Sequence, residues 1–181
     1  MSFLTGNANM DFRKQLISEA SRANIDLIVS AIDGKQEHFD DLLPFIYDSN
    51  GYVATRAGWV VKKCAAQYPE LIHPYLNEIM DYLPQIPYGG LRRLMLKVLT
   101  LFPPPKERMG RLVNLCLDWL ESPNEKVAVK VYSMEILRQC CYQEPDLIPE
   151  FLSIIENHYE RNSFAFQSRA NKIFNEFREY M

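Results

Sequence analysis

The chain has 181 residues, enough for one domain that buries its own core without disulfide or metal staples. Hydrophobic residues make up 48% and charged residues 24%, a globular balance that excludes a disordered or fibrous chain. The formal net charge is -3, which counts against a protein that lives on a nucleic-acid backbone, where a basic excess or a basic face is the usual footprint.

Residues 1–9 read as a polar, mobile tail, with neither the basic start nor the apolar run of a secretory signal. A single domain is expected over 10–181. Residues 10–32 read as one helix, or as two broken near Ser21. Helices are predicted near 36–48, 52–67, 70–83, 90–102, 106–121, 125–142, 146–160 and 164–180. Asp48-Ser49-Asn50-Gly51 and Glu121-Ser122-Pro123-Asn124 supply turns with Asn or Ser as N-caps. Pro84 to Gly90 is the longest irregular connection, and no strand pattern occurs. No apolar stretch approaches a membrane span, so a soluble, cytoplasmic protein is expected.

The chain repeats itself. Val53-Ala54-Thr55-Arg56-Ala57 matches Val127-Ala128-Val129-Lys130-Val131 at an offset of 74. Half that offset places a missing unit at Arg93, in GLRRLMLKVLTLF, and one step further reaches Gln167, with Arg169 close by. Positions 56, 93, 130 and 167 therefore mark four units spaced by 37 residues. In each unit a second helix starts near the marked position and ends at a proline or acidic-proline turn. PELIHP at 69–74, PPPKER at 103–108 and PDLIP at 145–149 open the following units.

The apolar pattern places two of these helices in the array. Phe166, Ala170, Ile173, Phe174 and Phe177 share one face of the last helix, as an end cap requires. The helix at 125–142 is apolar nearly all round, as expected of an interior repeat packed on both sides.

Helix pairs of this length, with V-x-x-[RK] opening the second helix and P-[DE]-L-I beginning the next unit, resemble HEAT repeats over roughly residues 36–181. The resemblance implies an all-α fold: a short right-handed α-solenoid of about four HEAT-like helix pairs plus N-terminal helices, the second helices lining the concave side. Gly90 replaces the Val in the second unit, and Gln167 stands at the basic position of the fourth. RAGWVVKKC (56–64), CLDWLESPNEKVAVKVYSMEIL (116–137) and FQSRANKIF (166–174) are also similar to small HEAT-like proteins of Bacteroidetes-type bacteria. Such proteins sometimes carry the label adenylosuccinate lyase. That enzyme family needs a serine-rich signature loop, catalytic histidines and a much longer helical chain, so the activity is not expected here.

The remaining residues supply no recognisable catalytic set. His38, His73 and His158 are far apart, and none has a Cys, His or carboxylate at metal-ligand spacing, so no metal and no cofactor is expected. Glycine-rich phosphate loops and the GxSxG nucleophile motif do not occur. Cys64, Cys116, Cys140 and Cys141 fall inside apolar helical runs and read as buried, reduced thiols rather than nucleophiles.

The candidate working surface is a basic ladder. Arg56, Arg93, Lys130 and Arg169 recur on successive second helices, Arg92 and Lys97 add charge in the middle unit, and Trp59 and Lys63 lie one and two turns from Arg56. Trp119 reads as core, whereas Trp59 reads as a partly exposed interaction residue. The competing reading makes the ladder structural, its cations pairing with Asp48, Glu125, Glu135 or with backbone carbonyls between repeats. A non-enzymatic module that holds another protein or peptide on its concave face is the leading expectation. The alternative is nucleic-acid binding, similar in shape to HEAT-like alkylpurine DNA glycosylases, which the acidic balance disfavours.

Overall fold

The structure is a computed structural model that describes residues 10–180; the tail expected at 1–9 lies outside the described residues. Every regular element among the described residues is an α-helix or a short 3-10 turn, with no strand. Packing divides the chain into two compact units, the first ending at Pro74 and the second beginning at Tyr75.

In the first unit, α1 (Phe12–Ser18) and α2 (Arg22–Ile32) divide the expected 10–32 segment at Ser21. The Ser21 hydroxyl accepts a hydrogen bond from the Asn24 N–H at 3.0 Å, so a new helix is capped there and the old one does not continue. Buried Asn24 secures the break by donating to the carbonyls of Gln15 and Glu19. α2 ends at Asp33 and Gly34, both at positive φ. A Cβ at Gly34 would also meet the Tyr68 ring at 3.1 Å, so conformation and space both call for glycine. α3 (Gln36–Leu42) tightens into a 3-10 turn at Leu43–Tyr47, where Pro44 cannot donate. α4 (Gly51–Gln67) opens on Asn50, whose side chain accepts from the N–H groups of Tyr52 and Val53. Pro69 keeps Tyr68 out of the helical region and so ends α4, and α5 (Pro69–Ile72) is a one-turn stub after it. α4 packs on α1, α2 and the turn after α3, burying Val53, Ala57, Val60, Val61 and Cys64.

The second unit holds α6 (Leu76–Tyr82), α7 (Gly89–Leu99), α8 (Lys106–Glu121), α9 (Val127–Gln143), α10 (Ile148–Tyr159) and α11 (Phe164–Glu176). The single helix expected over 70–83 is instead α5, a 3-10 turn at His73–Tyr75 and α6, because Pro74 supplies no N–H to an uninterrupted ladder. The helix expected over 164–180 stops at Glu176, and Arg178–Tyr180 tightens into a 3-10 turn.

α9 packs on α7, α8 and α11, while α10 packs on α8 and α11. Second helices α7, α9 and α11 thus form one layer of this unit, and first helices α8 and α10 the other. Val129, Met134, Ile136, Leu137, Cys140 and Cys141 of α9 are buried, the two-sided burial expected of an interior helix; Val127, Val131 and Tyr132 stay half-buried. α11 buries Phe166, Ala170 and Ile173 and exposes Asn171, Lys172 and Asn175, the one-sided pattern of a cap. No helix among the described residues is long and apolar enough to cross a membrane.

Candidate binding surface

The ladder positions do different jobs. An α-helix leaves its last carbonyls without partners, and a cation near that end satisfies them and opposes the helix dipole. Lys130 does this for α8: its ammonium donates to the Leu120 carbonyl at 2.9 Å, with only 5% of the residue exposed. Burial lowers the Lys130 pKa, an effect that the Glu125 charge partly offsets. Arg56 donates to the carbonyls of Leu16 and Ile17 at the end of α1, at 2.6 and 3.0 Å. In the last pair the Gln167 amide reaches the Tyr159 carbonyl at the end of α10 and the Asn162 carbonyl of the turn beyond.

In the middle unit the capping residue is Arg92, one position before the predicted Arg93. Its guanidinium donates to the Ile86 carbonyl at 2.7 Å and to the Glu125 carboxylate at 2.5 Å, and it lies 5.4 Å from the centre of the Trp119 ring. The register follows from where each helix begins. Arg92, Lys130 and Gln167 are each the fourth residue of α7, α9 and α11, whatever the spacing in the chain. Trp119 is 9% exposed and belongs to the core.

Arg169 donates to Glu135 at 2.7 Å. The same carboxylate takes Arg138, which also reaches Glu176 at 2.8 Å, so α9 and α11 are tied by an alternating chain of charges. Asp48 pairs with Arg13 instead of with a ladder cation.

Arg93 and Lys97 are left over. They sit one turn apart on α7, both half-buried, and neither forms an ion pair among the described residues. Lys97 lies 5.5 Å from the centre of the Tyr132 ring on α9. Lys97 and Tyr132 thus form a cation–aromatic pair on the second-helix layer of this unit, with Arg93 one turn from Lys97 on the same helix. The sequence marks Arg93 and Lys97 through charge alone; that Arg92 and not Arg93 is consumed by capping depends on the start of α7.

Trp59 is half-buried in the first unit, where it lines a groove with Arg22, Ile25, Lys62 and Lys63. Arg22 and Lys62 escaped sequence reasoning, because only the packing of α2 on α4 unites them; the signal available was matching one-turn spacing, Arg22 to Ile25 and Trp59 to Lys62.

Among the described residues no cluster of His, Cys, Asp and Glu is placed to hold a metal ion. All four cysteines are free and buried. Burial pushes the thiols of Cys64 and Cys140 up to about 12 and that of Cys141 to about 11, and drives Cys116 upward as well. Such thiols are poor nucleophiles at neutral pH.

Helix pairs stacked in two layers, stitched by donors that close the ends of neighbouring helices, define a helical repeat protein. The family model described as a HEAT repeat domain matches residues 12–177, and the chain belongs to that family. The match begins within α1, so the N-terminal helices fall inside the family domain as well. No curated protein and no solved structure matches the chain. HEAT repeats in general serve as scaffolds for protein–protein interaction, and that is the setting in which the patch on α7 and α9 stands.

Proposed function

We propose that the protein is a non-enzymatic interaction module, working in the cytoplasm, that holds an acidic segment of another protein on the second-helix layer of its second unit. The observation that carries this reading is Arg93 with Lys97, one turn apart on α7 and in no ion pair among the described residues, with Lys97 beside Tyr132, while Arg92, Lys130, Arg138 and Arg169 are all engaged by carboxylates or carbonyls. An acidic side chain brought between them would gain charge-assisted hydrogen bonds, and Tyr132 offers apolar surface beside it. A reducing compartment suits four buried, unbridged thiols. Within the family, the segments 56–64, 116–137 and 166–174 favour kinship with the small Bacteroidetes-type proteins.

The test is selection from a displayed peptide library on wild type and on Arg93→Glu/Lys97→Glu, with circular dichroism on both. Enrichment of acidic peptides on wild type, lost in a folded double variant, supports the reading. Equal enrichment on both proteins removes it. Salt-dependent gel shifts with duplex and single-stranded DNA decide the alternative: binding at low salt that disappears in the double variant would make this a nucleic-acid surface instead.

A further inference from the structure

The groove of the first unit is chemically unlike the α7–α9 patch. Arg22, Ile25 and Asp26 lie at one-turn spacing on α2, and Trp59, Lys62 and Lys63 at the same spacing on α4, which packs against it. Between them is a cavity of about 360 Å³ lined by Arg22, Ile25, Trp59, Lys62 and Lys63. Ile25 is almost wholly buried, and the half-buried Trp59 lines the same cavity, so part of the lining is apolar and aromatic.

Three cations lie here beside one carboxylate, and two of them reach it. Asp26 pairs with Lys63 and lies 3.8 Å from Arg22, which shows that these two cations reach a common anion. Lys62 has no ion-pair partner among the described residues. Among the described residues the lining holds cationic and apolar side chains, with the Asp26 carboxylate against Lys63 and no neutral amide or hydroxyl to meet a peptide backbone. A ligand that suits it has a flat apolar body and concentrated negative charge.

We propose that this groove binds a nucleoside phosphate, the base stacked on Trp59 and the phosphate between Lys62, Lys63 and Arg22. Stacking on an indole is tolerant of base identity, and phosphate takes several cations at once. The cavity sits at the small end of the range for ligand sites, the scale of one nucleotide rather than a strand. A chain of net charge -3 is also poorly suited to following a polyanion.

The experiment is titration of the full chain with ADP, followed by tryptophan fluorescence and by equilibrium dialysis of labelled nucleotide. Saturable quenching is expected, with adenosine and pyrophosphate each binding more weakly, since each keeps only half of the chemistry. Lys62→Glu places a like charge at the phosphate and should weaken ADP roughly tenfold or more, the scale of one charge-assisted contact. Trp59→Phe should abolish the quench and weaken binding in dialysis. Arg93→Glu/Lys97→Glu, in the other unit, should bind ADP as wild type does. The proposal is overturned by absence of saturable binding, by adenosine binding as tightly as ADP, or by undiminished affinity in folded Lys62→Glu. Single-stranded oligonucleotides that bind progressively tighter with length would overturn it too, making the groove part of a strand-binding surface.

Discussion

The ammonium of Lys130, at the start of α9, closes the end of α8 by donating to the Leu120 carbonyl at 2.9 Å. A lysine spends burial on this contact because α8 would otherwise end on a buried acceptor with no donor. The same task falls to Arg92 and Gln167, and in the first unit to Arg56, which reaches back to α1. The repeat therefore conserves a job, closing a neighbouring helix end, more strictly than it conserves a residue type.

If Lys130 serves the stack, Lys130→Met should cost about 1–3 kcal/mol of unfolding free energy, the penalty for an orphaned buried acceptor. Arg93→Met, on a residue that makes no ion pair among the described residues, should stay within about 0.5 kcal/mol of wild type. Urea denaturation measures both. The pH dependence adds a sign. The folded pKa of Lys130 lies below its ordinary value, so the cost of burying its charge is fully present below that folded pKa. The cost is relieved as pH rises from there toward the unfolded value near 10.4, and wild type should gain on Lys130→Met over that alkaline window. Equal losses for the two variants would mean that the register runs through Arg93 after all.

Arg92 and Glu125 give a second test, because both side chains are largely covered, at 20% and 11% exposure. Arg92→Met takes the guanidinium from Glu125 and the donor from the Ile86 carbonyl, and should cost about 2–4 kcal/mol, between the values for exposed and fully buried pairs. Arg92→Lys should recover little of this, since one ammonium cannot serve carboxylate and carbonyl in the guanidinium's geometry. A double-mutant cycle with Glu125→Gln should return a coupling of about 1–3 kcal/mol. A coupling near zero would show that Arg92 acts through the Trp119 ring and the carbonyl alone.

Helix content and repeat period were legible because they rest on local rules. Proline punctuation marked the unit openings, and Asn50 announced α4 through its capping chemistry. Two local errors have local causes: Pro74 divides the helix expected at 70–83, and the last helix tightens before Tyr180. The site was legible only in part. Charge at constant spacing suggested a stripe, yet whether a cation is spent on a carbonyl depends on where its helix begins. That start is three residues before Arg92, Lys130 and Gln167, but five before Arg56. A fixed period cannot carry such an offset. The groove at Trp59 was less visible still, since it needs the approach of α2 to α4.

The turn before α4 has its own pH signature. Asp48 accepts from the Asn50 N–H and pairs with Arg13, and both contacts favour its charged form and lower its pKa, the backbone hydrogen bond most. A lowered folded pKa stabilises the fold above the unfolded value, near 3.9, and that stability drains as pH falls through the folded value. Asp48→Asn should therefore be less stable than wild type at neutral pH, and the gap should narrow below about pH 4. A gap that stays constant from neutral to acidic pH would assign the difference to turn geometry instead of charge.

The four thiols supply the last prediction. Cys64, Cys116, Cys140 and Cys141 are buried on α4, α8 and α9, and desolvation raises every one of them. With a pKa near 12, a thiol such as Cys64 is ionised to about one part in ten thousand at about pH 8, and the thiolate is the reacting species. In native buffer a disulfide reagent should therefore modify almost nothing within minutes, whereas in urea it should titrate all four. The same shifts act on stability. A raised folded pKa contributes fully below the unfolded thiol value, near 8.5, and that contribution declines as pH climbs from there toward the folded values. Replacing Cys64 by Ser would tell packing from reactivity. The hydroxyl removes the titration but puts a more polar group in a buried site, so the variant should lose stability at neutral pH and lose part of the alkaline decline. Rapid labelling of any one thiol in the native protein would show that its helix opens locally, and would place the weakest point of the stack there.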